Sequence, residues 1–148
     1  MVTYDELNTQ NHQITELSNV LRYLLADRAM CDTDVTCNLF FEYVDRVKEH
    51  LELEDKHMYS KLLTHKDSRV TNTAKLFLSG SVEIKRIFGA YLKKWCRKQK
   101  HQLKITDYEA FRAETEEMLD LILNRIQDET EKLYPLVRSV TGDTRQAA

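Results

Sequence analysis

Apolar residues recur every three or four positions along nearly the whole chain, the spacing that lines one face of a helix. The first stripe is Leu7, Ile14, Leu17, Leu21 and Leu24. It predicts a helix over about residues 3–27, opened by the capping box Thr3-x-x-Glu6, in which each side chain accepts from the other residue's backbone N–H. A second stripe, Phe40, Tyr43, Val44, Val47, Leu51, Met58 and Leu62, predicts a helix over about residues 34–63. The third, Leu76, Ile84, Ile87, Phe88, Tyr91 and Trp95, predicts residues 70–100. The fourth opens at Thr106-x-x-Glu109 and runs through Phe111, Met118, Leu119, Ile122, Ile126 and Leu133 to about residue 140. Short polar connections favour antiparallel neighbours, so the predicted fold is all-α, an up-down-up-down four-helix bundle.

Certain residues interrupt these stripes. His50 and Glu54 share a face with Val47, Leu51 and Met58, and Arg125 and Glu129 share one with Ile122, Ile126 and Leu133. Ionisable groups near the middle of a bundle are costly unless they bind one another or a metal. Spacing of four residues aims both members of each pair in one direction. The pairs also belong to a repeat. His50-Leu51-Glu52-Leu53-Glu54 aligns with Arg125-Ile126-Gln127-Asp128-Glu129 at an offset of 75, which also matches Tyr43 to Met118, Val44 to Leu119, Val47 to Ile122 and Tyr59 to Tyr134. At an offset of 70, Asn11, Ile14, Leu17 and Leu21 match Ser81, Ile84, Ile87 and Tyr91. An internal two-fold pseudo-repeat is therefore expected.

Composition narrows the picture. The 148 residues suit one domain, 1–148, and three Gly and one Pro leave few helix breakers. A net charge of −2 argues against general attraction to nucleic acid or an anionic membrane. No apolar run approaches the roughly 20 residues of a membrane span, and the opening residues Met1 to Glu6 lack signal-peptide character, so a cytoplasmic protein is expected. Cys31, Cys37 and Cys96 are odd in number and lack a CxxC spacing, which favours unpaired thiols over a Cys31–Cys37 redox pair.

With these residues in view, the chain resembles the hemerythrin family in its broader cation-binding (HHE) form. His50-Leu51-Glu52-Leu53-Glu54-Asp55 followed by Met58-Tyr59 is similar to that family's second-helix motif, and Arg125-Ile126-Gln127-Asp128-Glu129 followed by Leu133-Tyr134-Pro135-Leu136 to its fourth. The resemblance implies a bundle holding two non-haem irons, with roles in binding or sensing oxygen or nitric oxide. The chain departs from the pattern. Arg125 stands where the family has a fourth-helix His, and Ser81 or Gly80 where it has a third-helix His. Periodicity turns Asn11 inward and His12 about a third of a turn away, although a small helical shift would aim His12 inward.

Two readings of this degenerate site stay open. In one, a single metal is held by His12, His50, Glu54 and Glu129, with Arg125 standing in for the second metal; imidazole and carboxylate ligands suit iron(II), manganese or zinc. In the other, no metal binds, and Arg125 bridges Glu54 and Glu129 while His50 joins the network. The second is preferred, because His50 is the one securely placed imidazole. A looser similarity, carried by Val44-Asp45, His50, Glu54 and Arg125-x-x-x-Glu129, is to the bacterial Rsd/AlgQ family, helical bundles that bind an RNA polymerase sigma factor. It implies a regulatory, protein-binding alternative.

Other features have plain explanations. His57 is expected at the bundle edge, and His65 and His101 in loops. The cations Lys93, Lys94, Arg97, Lys98, Lys100 and Lys104 complement a helix C-terminus. Glu114, Glu116, Glu117 and Asp120 form a solvated face, while Tyr59 and Tyr134 are placed to cover the polar core. No catalytic triad spacing, phosphate loop or zinc-finger motif occurs, so a sensor or regulator is expected and an enzyme is not.

Overall fold

A computed structural model describes residues 4–97 and 101–142. The chain is mostly helical, and the long helices that start at Asp34, Ser68 and Tyr108 each begin where a side chain takes up a free N–H group. Helix α1 (Tyr4–Leu25) is followed by a one-turn helix, α2 (Arg28–Cys31), capped by Asp27, whose carboxylate accepts from Ala29 N at 3.0 Å. Helix α3 (Asp34–His57) is capped by the Thr33 hydroxyl, which accepts from Thr36 N at 3.3 Å. The chain then breaks at Met58 and Tyr59, and α4 (Ser60–Leu63) follows, so the predicted second helix is two helices with a corner between them. The capping box at Thr3 lies outside the described residues.

Helix α5 (Ser68–Trp95) is capped by Asp67. It stops at Trp95 rather than continuing to residue 100, because Cys96 turns extended and β1 (Cys96–Arg97) pairs antiparallel with β2 (Gln102–Leu103). Lys104 N–H then donates to the Trp95 carbonyl at 2.6 Å, a partner that a continuing helix would have supplied. Helix α6 (Tyr108–Asp128) is capped by Asp107, which accepts from Ala110 N at 3.2 Å, so the predicted cap at Thr106 shifts by one residue. A π turn (Glu129–Leu133) links α6 to α7 (Tyr134–Thr141), which ends at Gly142 with φ 73°, a left-handed position that favours glycine. Pro135 explains the wide turn in part: it has no N–H for the Glu131 carbonyl, and its ring crowds that carbonyl.

Helix α1 packs against α3 and α6, α5 against α6 and α3, and α4 against α5 and α7. The apolar residues fall into two clusters. One gathers Phe40, Tyr43, Phe88, Trp95, Phe111 and Leu119; the other gathers Leu7, Leu62, Val70, Leu133 and Val137. The crossing from one cluster to the other falls at Asn11 on α1, at Glu54 on α3, at Ser81 on α5, and at Arg125 and Glu129 on α6 and the π turn, all of them buried. A polar layer thus divides the core. Leu76, expected inward, is 74% exposed, because it lies two residues and about 200° of helix from buried Ala74. The three cysteines are buried and free. Among the described residues no helix is long and apolar enough to cross a membrane.

Candidate metal centre

His50 and Glu54, one turn apart on α3, meet Glu129 at the start of the π turn. Each of the three offers a ligand atom, and those atoms lie within 4.8 Å of one another, all buried. His50 Nε2 stands 3.0 Å from Glu129 Oε1 and 3.3 Å from Glu54 Oε2. Its other nitrogen, Nδ1, donates to Gln10 Oε1 at 2.8 Å. That bond fixes the tautomer of a neutral ring: the proton sits on Nδ1 and the Nε2 lone pair faces two carboxylates. Lone pairs converging in this way need a positive partner, either a proton on the ring or a metal ion.

Tyrosines and an arginine close the site. The Tyr134 hydroxyl lies 2.9 Å from Glu54 Oε2 and 3.2 Å from Glu129 Oε1, and it accepts from Asn11 Nδ2 at 3.1 Å. Arg125 Nε donates to Glu129 Oε2 at 2.8 Å, one Nη to the Phe77 carbonyl at 2.8 Å, and the other to the Tyr59 hydroxyl at 2.9 Å. The guanidinium also stacks 4.9 Å from the centre of the Phe77 ring. Gly80 makes room for it, since a Cβ there would sit 3.0 Å from the same Nη that binds Phe77.

The electrostatics follow from burial and charge. Burial alone would lower the His50 pKa, but hydrogen bonds to Glu129 and Glu54 and their charges push it up to about 10. Glu54 is driven well above the usual carboxylate range, first by burial and then by its contact with Glu129. Glu129 moves the opposite way: burial works against its charge, and Glu54, His50 and Arg125 more than compensate. Without a metal, then, Glu129 is favoured as the charged carboxylate, and Glu54 takes up a proton more readily than an ordinary glutamate.

The sequence-predicted residues divide clearly. His50, Glu54 and Glu129 come together, and Arg125 contacts Glu129. His12 does not join them; its side chain is 74% exposed and pairs with Glu16 on the next turn at 3.0 Å. Asn11 takes the inward position instead, as the periodicity required. His57 is exposed at the end of α3. Gln10 was not singled out by its spacing, and the signal for it is chemical: a buried imidazole needs an acceptor for its second nitrogen.

A family model, the hemerythrin HHE cation binding domain, matches residues 2–137. The chain belongs to the hemerythrin family. No curated protein and no solved structure matches it. Within this hemerythrin domain the donors gathered among the described residues fit one metal ion. The fit to one is visible at Glu54, whose Oε1 is buried without a hydrogen-bond partner while Oε2 faces His50. His50 Nε2 and the carboxylates of Glu54 and Glu129 would hold the ion, which would supply a Lewis-acidic, redox-capable centre. Among the described residues no second group of ligands gathers: Ser81 turns its hydroxyl to Asp55, at 3.0 and 3.2 Å, and Arg125 brings its own positive charge to Glu129.

Proposed function

We propose that this hemerythrin domain takes one metal ion, with iron(II) the first candidate over manganese or zinc, through His50, Glu54 and Glu129. The reading is carried by one observation: His50 Nε2 converges with both carboxylates while Gln10 engages Nδ1. Arg125 supplies the fixed positive charge that a second ion would otherwise bring. Hemerythrin domains bind oxygen through a metal. Three protein ligands leave coordination positions for oxygen or nitric oxide, which suits a non-enzymatic cytoplasmic sensor or regulator. The four long helical stretches are read as an up-down-up-down bundle; the packing of α1 on α3 and of α5 on α6, and the 75-residue offset between His50 and Arg125, support that arrangement.

A second reading has its own support. The three hydrogen bonds of Arg125, with those joining His50, Tyr134 and the two glutamates, also make a nearly closed ion network without metal. In that case the core is structural and function lies on the outer helical surface, with a protein partner such as a sigma factor. Metal analysis by plasma mass spectrometry on protein purified without chelator, beside an anaerobic ferrous titration, separates the two. The metal reading expects about one ion per chain, lost in His50→Ala, because a ligand set of this kind has no substitute for its imidazole. No metal, and none taken up on titration, would leave the ion network and direct the search to protein partners.

A further inference from the structure

We propose that the phenol oxygen of Tyr134 is a fourth ligand, bound as phenolate to the metal held by His50, Glu54 and Glu129. The proposal rests on the metal reading above and adds to it a ligand type that neither the sequence spacing nor the family match assigns. Its basis is position. The Tyr134 hydroxyl lies 2.9 Å from Glu54 Oε2, 3.2 Å from Glu129 Oε1 and 3.4 Å from His50 Nε2. Each of those residues belongs to the candidate ligand group, so one oxygen touches all three. Tyr59, the other tyrosine of the polar layer, has no such position, for its hydroxyl accepts from Arg125.

The backbone supplies a second, independent observation. In a regular α-helix, residues five apart are turned about 140° from each other, so Glu129 and Tyr134 would not share a face. The π turn removes that mismatch: Tyr134 N–H donates to the Glu129 carbonyl, five residues back, and the wider turn brings both side chains into the polar layer. Such single π turns occur often at functional sites because they re-aim a side chain at small cost to the rest of the helix.

Charge gives a third. A divalent ion with Glu54 and Glu129 ionised, His50 neutral and Arg125 cationic leaves one net positive charge in a buried layer. A phenolate cancels it, which lowers the cost of burying the assembly. On binding, the phenol O–H bond breaks, an oxygen lone pair makes the bond to the metal, and the proton leaves to solvent. Asn11 Nδ2 donates to the same oxygen at 3.1 Å and so favours its negative form.

The test is spectroscopic. Full-length protein is loaded with ferrous iron without oxygen and then oxidised, and iron content, visible absorption and resonance Raman spectra are recorded. Wild type is expected to show a phenolate-to-iron charge-transfer band with tyrosine ring modes that shift when ring-deuterated tyrosine is incorporated. Tyr134→Phe should retain iron, with affinity reduced about tenfold, and lose the band, whereas Tyr43→Phe, in the apolar cluster, should retain it. If Tyr134→Phe does not fold, the deuterium shift in wild type carries the test, because no other described tyrosine reaches all three donors. Iron bound in wild type without ring modes would overturn the phenolate proposal and leave the metal reading standing. No iron in wild type would overturn both.

Discussion

The two sides of the polar layer use similar residues to opposite ends. On one side, His50 Nε2 meets the carboxylates of Glu54 and Glu129, the Tyr134 hydroxyl donates to Glu54 Oε2, and Glu54 Oε1 has no partner. On the other, Arg125 brings a permanent charge and three engaged donors to Glu129, Tyr59 and the Phe77 carbonyl. Glu129 serves both, with Oε1 toward His50 and Oε2 toward Arg125. In sequence the sides match at an offset of 75 residues, and they differ chiefly by His against Arg at one position. An imidazole can shed its proton and offer a lone pair; a guanidinium cannot. One side can therefore exchange its positive partner, a proton or a metal ion, and the other has a cation built in.

Removing Arg125 is the most damaging way to break this contrast. Arg125→Ala strands a buried Glu129 oxygen, the Tyr59 hydroxyl and a backbone carbonyl, with an expected loss of about 3–5 kcal/mol in urea unfolding. An unfolding midpoint equal to wild type would remove Arg125 from the energetic account of the fold.

The pH dependence of the metal-free protein should be next in size. His50 has a folded pKa of about 10 against an ordinary 6.5, so its contribution is complete below pH 6.5 and lost as pH rises through 10. Glu54, also raised, begins losing its contribution above the ordinary carboxylate value of 4.5. Glu129 is lowered, and its contribution is instead lost as pH falls below 4.5. Stability should therefore be greatest in mildly acidic solution and decline toward alkaline pH, and His50→Gln should flatten the decline above pH 6.5. A wild-type profile flat from pH 6.5 to 10 would contradict the charged His50.

Making the two sides alike sharpens the comparison. Arg125→His replaces the built-in cation with a second imidazole, and metal affinity should rise by about tenfold or more, the scale on which neighbours tune a metal site. Isothermal titration with iron(II) or zinc would measure it, and unchanged affinity would mean that Arg125 does not compete with a metal.

How much of this could be read from the chain depended on whether a feature was periodic. The long helices and the pairs His50/Glu54 and Arg125/Glu129 follow the three-and-four spacing, so the polar layer was legible before any coordinates. The same periodicity placed Asn11 inward, while a small shift recruiting His12 does not occur because α1 runs regularly through it. Features that break the period were hidden. The corner at Met58 and Tyr59, the extended turn at Cys96 and the π turn at Glu129 each depend on tertiary partners or on local chemistry. Pro135 was the one visible sign of the last. Gln10 was hidden differently, since its role is a hydrogen bond to one nitrogen of a ring forty residues away.

The smallest effect tests how tightly the Arg125 side is built. In an exposed helix interior, replacing Gly by Ala usually stabilises by up to about 1 kcal/mol, through the backbone entropy that glycine loses on folding. A methyl group added at Gly89 would meet nothing within 4 Å, so Gly89→Ala should show that gain. At Gly80 the new methyl would meet an Arg125 nitrogen at 3.0 Å, and that nitrogen is held at 2.8 Å by the Phe77 carbonyl. It cannot retreat without loosening a buried hydrogen bond, and a crowded site of this kind costs about 1–3 kcal/mol, enough to offset the entropic gain. Gly80→Ala is thus expected to lower the melting temperature while Gly89→Ala raises it. Equal gains at both positions would show that Arg125 has slack, and that the built-in cation is less firmly fixed than its three hydrogen bonds imply.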